Sequence, residues 1–101
     1  MNENGNKVVE RLARGAVRDD VKGRVRQIVK GGGREQMQRD FIDLIGRATQ
    51  TRVDTPKGPL RLAELEDGST VSARGFSSGG QPSIQVNDPN SRQIVKVRYE
   101  E

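Results

Sequence analysis

Arg74, Lys96 and Arg98 are where chemistry would start in this chain, because strand alternation gathers them on one surface. In segment 93–99, Val95, Val97 and Tyr99 share one side and Ile94, Lys96 and Arg98 the other. In segment 69–76, Val71 and Ala73 oppose Thr70, Ser72, Arg74 and Phe76. In segment 83–86, Ile84 and Val86 turn inward, and Ser83 and Gln85 turn outward. Side by side, the outward sets bring Arg74, Lys96 and Arg98 together with the Phe76 ring and the polar Ser83 and Gln85. Cations neutralise phosphates, and an aromatic ring offers a face for base stacking. Hydroxyls and amides hydrogen-bond phosphate or base edges. The plain alternative is a solvated sheet face, since antiparallel sheets are usually polar on one side. Phe76, an apolar ring on the wet side, favours a ligand. Lys57 and Arg61 can close the same site from the preceding segment, although Lys57 also reads as an ordinary loop cation.

Composition narrows the chemistry. The chain has 101 residues, no cysteine and no histidine. Disulfides, thiolate catalysis, a Ser-His-Asp triad and Cys- or His-ligated metal sites are therefore excluded, and neither a cofactor nor a metal is expected. Proton transfer must use Asp, Glu, Lys, Arg or Tyr. A cationic face of this kind can still cut RNA. Attack of a ribose 2′-hydroxyl on its own phosphate needs positioning, stabilisation of developing charge and a proton acceptor. The net charge of +4 and pI of about 10.0 favour polyanions, or simply solubility. Most of the cations precede Gly58. No apolar run is long enough to span a membrane, and no signal-peptide pattern is present.

The elements that must position these residues follow from pattern. The length fits one domain, with a thin core because only 31% of residues are hydrophobic. Residues 1–6 read as a polar lead-in. Between Lys7 and Lys30 the apolar residues recur at steps of three and four, which predicts one long helix or two short ones. Asp19-Asp20 would cap the second helix. Arg11, Arg14, Arg18, Lys22 and Arg26 then form a basic stripe, either a docking surface or a solvated face. Gly31-Gly32-Gly33 breaks the pattern, and Met37, Phe41, Ile42, Leu44 and Ile45 predict a further helix within 34–48. After Thr49 alternation replaces the helical step. Thr55-Pro56-Lys57-Gly58-Pro59 reads as a turn or edge segment, 60–65 as a strand and Asp67-Gly68 as a hairpin turn. The predicted fold is α+β: a helical part at 7–48 packed on an antiparallel four-stranded β-meander at 49–101, all one domain.

Residues 67–99 also carry a family resemblance. The run Asp67-Gly68-Ser69-Thr70-Val71-Ser72-Ala73-Arg74 is followed by Ser77-Ser78-Gly79-Gly80-Gln81-Pro82-Ser83-Ile84-Gln85-Val86 and by Lys96-Val97-Arg98-Tyr99. Together they resemble the end of barnase/EndoU/colicin/RelE-like ribonuclease toxin domains, found at the tips of contact-dependent inhibition proteins and other polymorphic toxins. The strict resemblance covers about a third of the chain. It implies a metal-independent endoribonuclease acting on tRNA. Such a domain is delivered into a neighbouring bacterium as the last segment of a larger secreted or surface protein, acts in the target cytoplasm and is neutralised by a cognate immunity protein. A basic site predicts that this partner is acidic. Carried over by position, Arg74, Ser77, Ser78, Ser83, Lys96, Arg98 and Tyr99 are the implied site residues. The absence of histidine departs from the His-containing branches and rules out their mechanism. A non-catalytic nucleic-acid-binding module, or a structural domain of a secretion or phage assembly, would use the same residues differently.

Overall fold

The computed structural model describes residues 5–56, 58–66, 68–75, 81–89 and 92–100, with only the backbone of 5–8. Two helices and seven strands follow in the order α1 (Gly5–Ala13), β1 (Arg18–Lys22), β2 (Val25–Lys30), α2 (Gly33–Ile45), β3 (Thr51–Thr55), β4 (Gly58–Glu64), β5 (Thr70–Arg74), β6 (Ser83–Asp88) and β7 (Gln93–Tyr99). All seven strands form one sheet in the order β1-β2-β7-β6-β5-β4-β3. Neighbours are antiparallel except β2 and β7, the second and third strands from the β1 edge, which run parallel.

This corrects the expected architecture in three ways. First, the helical reading of 7–30 holds only to Ala13; the rest is the β1–β2 hairpin. The helical step was produced by the turn itself. Val21 and Val25 are four apart because the turn Gly23-Arg24 lies between them, and Gly23 has the positive φ of 63° that such turns need. Asp19 caps no helix: its carboxylate receives Arg26 Nε at 2.8 Å and Nη2 at 2.5 Å across the hairpin. The basic stripe from Arg11 to Arg26 is thereby split between a helix and two strands. Second, Thr51–Thr55 is a strand paired antiparallel with β4, and the Thr55 hydroxyl donates to the Gly58 carbonyl at 2.5 Å. Third, β2 pairs with β1 on one edge and with β7 on the other, so the sheet has seven strands rather than four and is not purely antiparallel.

Both helices cover one face. Val9 and Leu12 of α1 and Met37, Phe41, Leu44 and Ile45 of α2 are buried against Ile28, Val71, Ala73, Ile84, Val86, Val95, Val97 and Tyr99 of the sheet. Apolar residues at helix spacing meet alternate strand residues, and removal of both surfaces from water drives the layers together. α2 is positioned by the end of the parallel β2–β7 pair: Glu100 N–H donates to the Lys30 carbonyl at 2.7 Å, and Gly33 N–H donates to the Glu100 carbonyl at 3.0 Å. Among the described residues, no helix packs on the other face of the sheet.

Candidate functional site

The uncovered face is organised in rows set by strand register. One row runs Arg18, Val29, Arg98, Ser83, Arg74, Leu60 and Val53, across all seven strands. The next runs Asp20, Gln27, Lys96, Gln85, Ser72, Leu62 and Thr51. Arg74, Lys96 and Arg98 are exposed, while Ser72, Ser83 and Gln85 lie half-buried between them. With strands about 4.8 Å apart, Arg98 and Arg74 root about 10 Å from each other, flanking Ser83. Arg74 Nη1 donates to the Thr55 hydroxyl at 3.3 Å, which draws its guanidinium toward the β3 end. Arg98 reaches Glu100 at 3.7 Å with both side chains more than half exposed, a contact too solvated to fix it. The Gln85 amide donates to Asn87 Oδ1 at 3.2 Å.

Two depressions mark this face, each about 350 Å³. The first lies between β2, β7 and β6, where Gln27, Gln81, Lys96 and Arg98 supply a polar and cationic wall. The second lies between β3, β4 and β5, where Val53, Leu60 and Leu62 meet Ser72 and Arg74. Ser83 and Gln85 line both. The surface thus pairs a cationic half with an apolar half. A larger depression of about 630 Å³ lies on the helix side between Arg11, Asp43, Arg47, Glu64 and Glu66. Its charges are mixed in sign, so it lacks the one-sided field that would gather a polyanion.

Of the residues singled out in the sequence, the structure brings Arg74, Ser83, Gln85, Lys96 and Arg98 together. Lys57, Phe76, Ser77 and Ser78 lie outside the described residues. Arg61 is paired with Ala73 and so belongs to the helix side of the sheet. Tyr99 is also on that side, 1% exposed, with its hydroxyl donating to Asp40 Oδ2 at 2.6 Å. Burial, reinforced by the hydrogen bond to Asp40 and by its charge, pushes the phenol well above its usual range. Tyr99 therefore stays protonated and turned away from the cations. Sequence reasoning missed Val29 and Gln27, because β2 was read as helix. It also missed the apolar half, because reading 60–65 as a strand does not say which face Leu60 and Leu62 take.

Among the described residues, no three Asp or Glu side chains cluster in a way that could hold a metal ion. Among them, too, no helix is long and apolar enough to cross a membrane. No protein-family model, curated protein or solved structure matches this chain.

Proposed function

We propose that the open sheet face binds single-stranded RNA. The observation that carries this reading is the exposed set Arg98, Lys96 and Arg74 around half-buried Ser83 and Gln85, on a sheet face that no helix covers among the described residues. The cations neutralise backbone phosphates, Ser83 and Gln85 offer hydrogen bonds, and the Val53, Leu60 and Leu62 depression receives an unstacked base. Each phosphate contact on a single strand adds about 0.7 to the slope of log affinity against log salt, so three cations give a slope of about 2. The test is titration of the folded protein with labelled single-stranded RNA at several salt concentrations. Replacing Lys96 and Arg98 together with alanine lowers the slope by about 1.4. An unchanged slope removes these residues from the interface.

The resemblance of residues 67–99 to ribonuclease toxin domains supports a stronger form, a metal-independent endoribonuclease acting on tRNA. In that reaction the 2′-oxygen attacks the adjacent phosphorus and the 5′-oxygen leaves, giving a 2′,3′-cyclic phosphate. One proton passes from the 2′-hydroxyl to a base, and one is supplied to the departing oxygen. Arg98 and Lys96 stabilise the charge on the five-coordinate phosphorus. Proton transfer falls to groups other than Tyr99. Delivery as the last segment of a larger toxin, and protection by an acidic immunity protein covering the cations, belong to this form. Incubation with total bacterial RNA in EDTA, followed by a denaturing gel, separates the two readings. Discrete tRNA-sized fragments establish cleavage. Shifted but intact RNA leaves a binding module.

A further inference from the structure

The edge strand β3 is complementary to itself. Its sequence, Thr51-Arg52-Val53-Asp54-Thr55, places a cation and a carboxylate symmetrically about a central valine. When two copies lie antiparallel about Val53, each Arg52 faces the other copy's Asp54, each Thr51 faces a Thr55, and the two valines meet. We propose that β3 pairs in this way with β3 of a second copy of the chain, joining two sheets into one across a two-fold axis.

The backbone of β3 agrees with this register. Asp54 is paired with Pro59, which has no N–H to donate, so that pair is the non-hydrogen-bonded kind. Alternation then turns the main-chain groups of Thr51, Val53 and Thr55 toward β4 and those of Arg52 and Asp54 toward the free edge. Two copies centred on Val53 present Arg52 to Asp54 as hydrogen-bonded pairs, each exchanging both main-chain bonds. The valines fall at the non-hydrogen-bonded position, where side chains approach most closely.

The side chains point the same way. Arg52 and Asp54 are 64% and 83% exposed and contact each other within the strand at 3.3 Å, on the helix side of the sheet. A second copy turns that pair into a quartet of alternating sign. Val53, exposed on the open face, gains an apolar neighbour, and the depression it shares with Leu60 and Leu62 runs on into its mate. Opposite charges directly across strands stabilise a sheet, and like charges destabilise it. The opposite edge provides the contrast. Pairing β1 with itself about Asp20 would set Asp20 against Asp20 and Arg18 against Lys22. The two-fold axis stands perpendicular to the sheet, so both open faces lie on one side and the surface of the monomer is doubled.

Sedimentation equilibrium on the full chain tests this. The wild-type protein forms dimers as concentration rises toward about 1 mM, the weak end of specific association. Arg52→Asp alone and Asp54→Arg alone each put like charges across the strands, and each raises the dissociation constant at least about tenfold, which corresponds to about 1.4 kcal/mol. An equimolar mixture of the two variants restores dimers, because each supplies the charges the other lacks. The double variant Arg52→Asp/Asp54→Arg also associates as the wild type does. Both substitutions are exposed, and unchanged circular dichroism confirms that the monomers fold. A wild-type chain that stays monomeric throughout, single variants that dimerise as well as wild type, or a mixture no better than its components would each overturn the proposal.

Discussion

Replacing Asp40 with asparagine removes the charge that permits a lysine inside this protein. Lys30 lies on the core side of β2, 7% exposed, beside Tyr99 of β7. Its ammonium donates to Asp40 Oδ2 at 2.7 Å, and the same oxygen accepts the Tyr99 hydroxyl at 2.6 Å. The other carboxylate oxygen accepts the Gln36 amide at 2.9 Å. Asparagine keeps the shape and one acceptor but leaves the ammonium without that counter-charge, 5.9 Å from the centre of the Tyr99 ring. Breaking a buried pair in this way costs about 3–5 kcal/mol, and the partial exposure of Asp40, 17% of its side chain, sets the lower value. A loss of about 3 kcal/mol is large against a total of about 5–15 kcal/mol, and it lowers the melting temperature by about 12–24 °C. Urea denaturation of the wild type, Asp40→Asn, Lys30→Met and the double variant measures the coupling. The double variant should be more stable than the sum of the single losses by at least about 1.5 kcal/mol. Single losses that add to within about 0.5 kcal/mol, or an Asp40→Asn cost below about 1 kcal/mol, would refute the argument that the pair is interdependent.

Tyr99 gives stability a pH dependence at the alkaline end. Its phenol is held protonated in the folded chain by burial and by Asp40, whereas the unfolded chain loses that proton near the usual value of 10.0. The unfolded state therefore releases a proton that the folded state keeps. This contribution is complete below pH 10 and falls by about 1.4 kcal/mol per pH unit above it; Tyr99→Phe should flatten that slope in chemical denaturation. At the acid end, Asp19 is held below its usual value of 3.8, first by its hydrogen bond from Arg26. Its stabilisation is present above that value and is lost as pH falls through the lowered one. Arg26→Ala should reduce the acid loss slightly, by the few tenths of a kcal/mol that an exposed pair contributes. Gly75 has φ of 69°, and a Cβ there would sit 3.1 Å from the Pro82 backbone. Gly75→Ala should cost roughly 1–3 kcal/mol in a thermal melt.

The strands β5, β6 and β7 were legible because each buries one face, and period-two alternation follows directly from that. The same alternation assigned Val95, Val97 and Tyr99 to one side, and all three are buried there. β1 and β2 were not legible for a geometric reason. A two-residue turn between short strands reproduces the four-residue step of a helix, and β1 is exposed along its whole length, so it shows no alternation to correct the reading. β3, exposed at four of its five positions, was hidden in the same way.

Partner choice is a different kind of information, and it decides how the open face is built. Nothing local in Val25–Lys30 says that it will lie parallel to Gln93–Tyr99, more than sixty residues later in the chain. That pairing sets Lys30 beside Tyr99 under Asp40, and it also sets Val29 and Gln27 beside Arg98 and Lys96. One register therefore fixes both faces. On the helix side it creates a charged pair whose burial makes slippage costly. On the open side it completes the wall of the cationic depression. A slip of one residue would carry Lys30 out of reach of Asp40 and turn the apolar Ile28 to water, since each step along a strand exchanges its two faces. The buried Lys30–Asp40–Tyr99 cluster thus acts as a register pin for the surface on which Lys96 and Arg98 stand, and loss of the pin in Asp40→Asn should loosen the proposed RNA binding even though Asp40 lies on the other face.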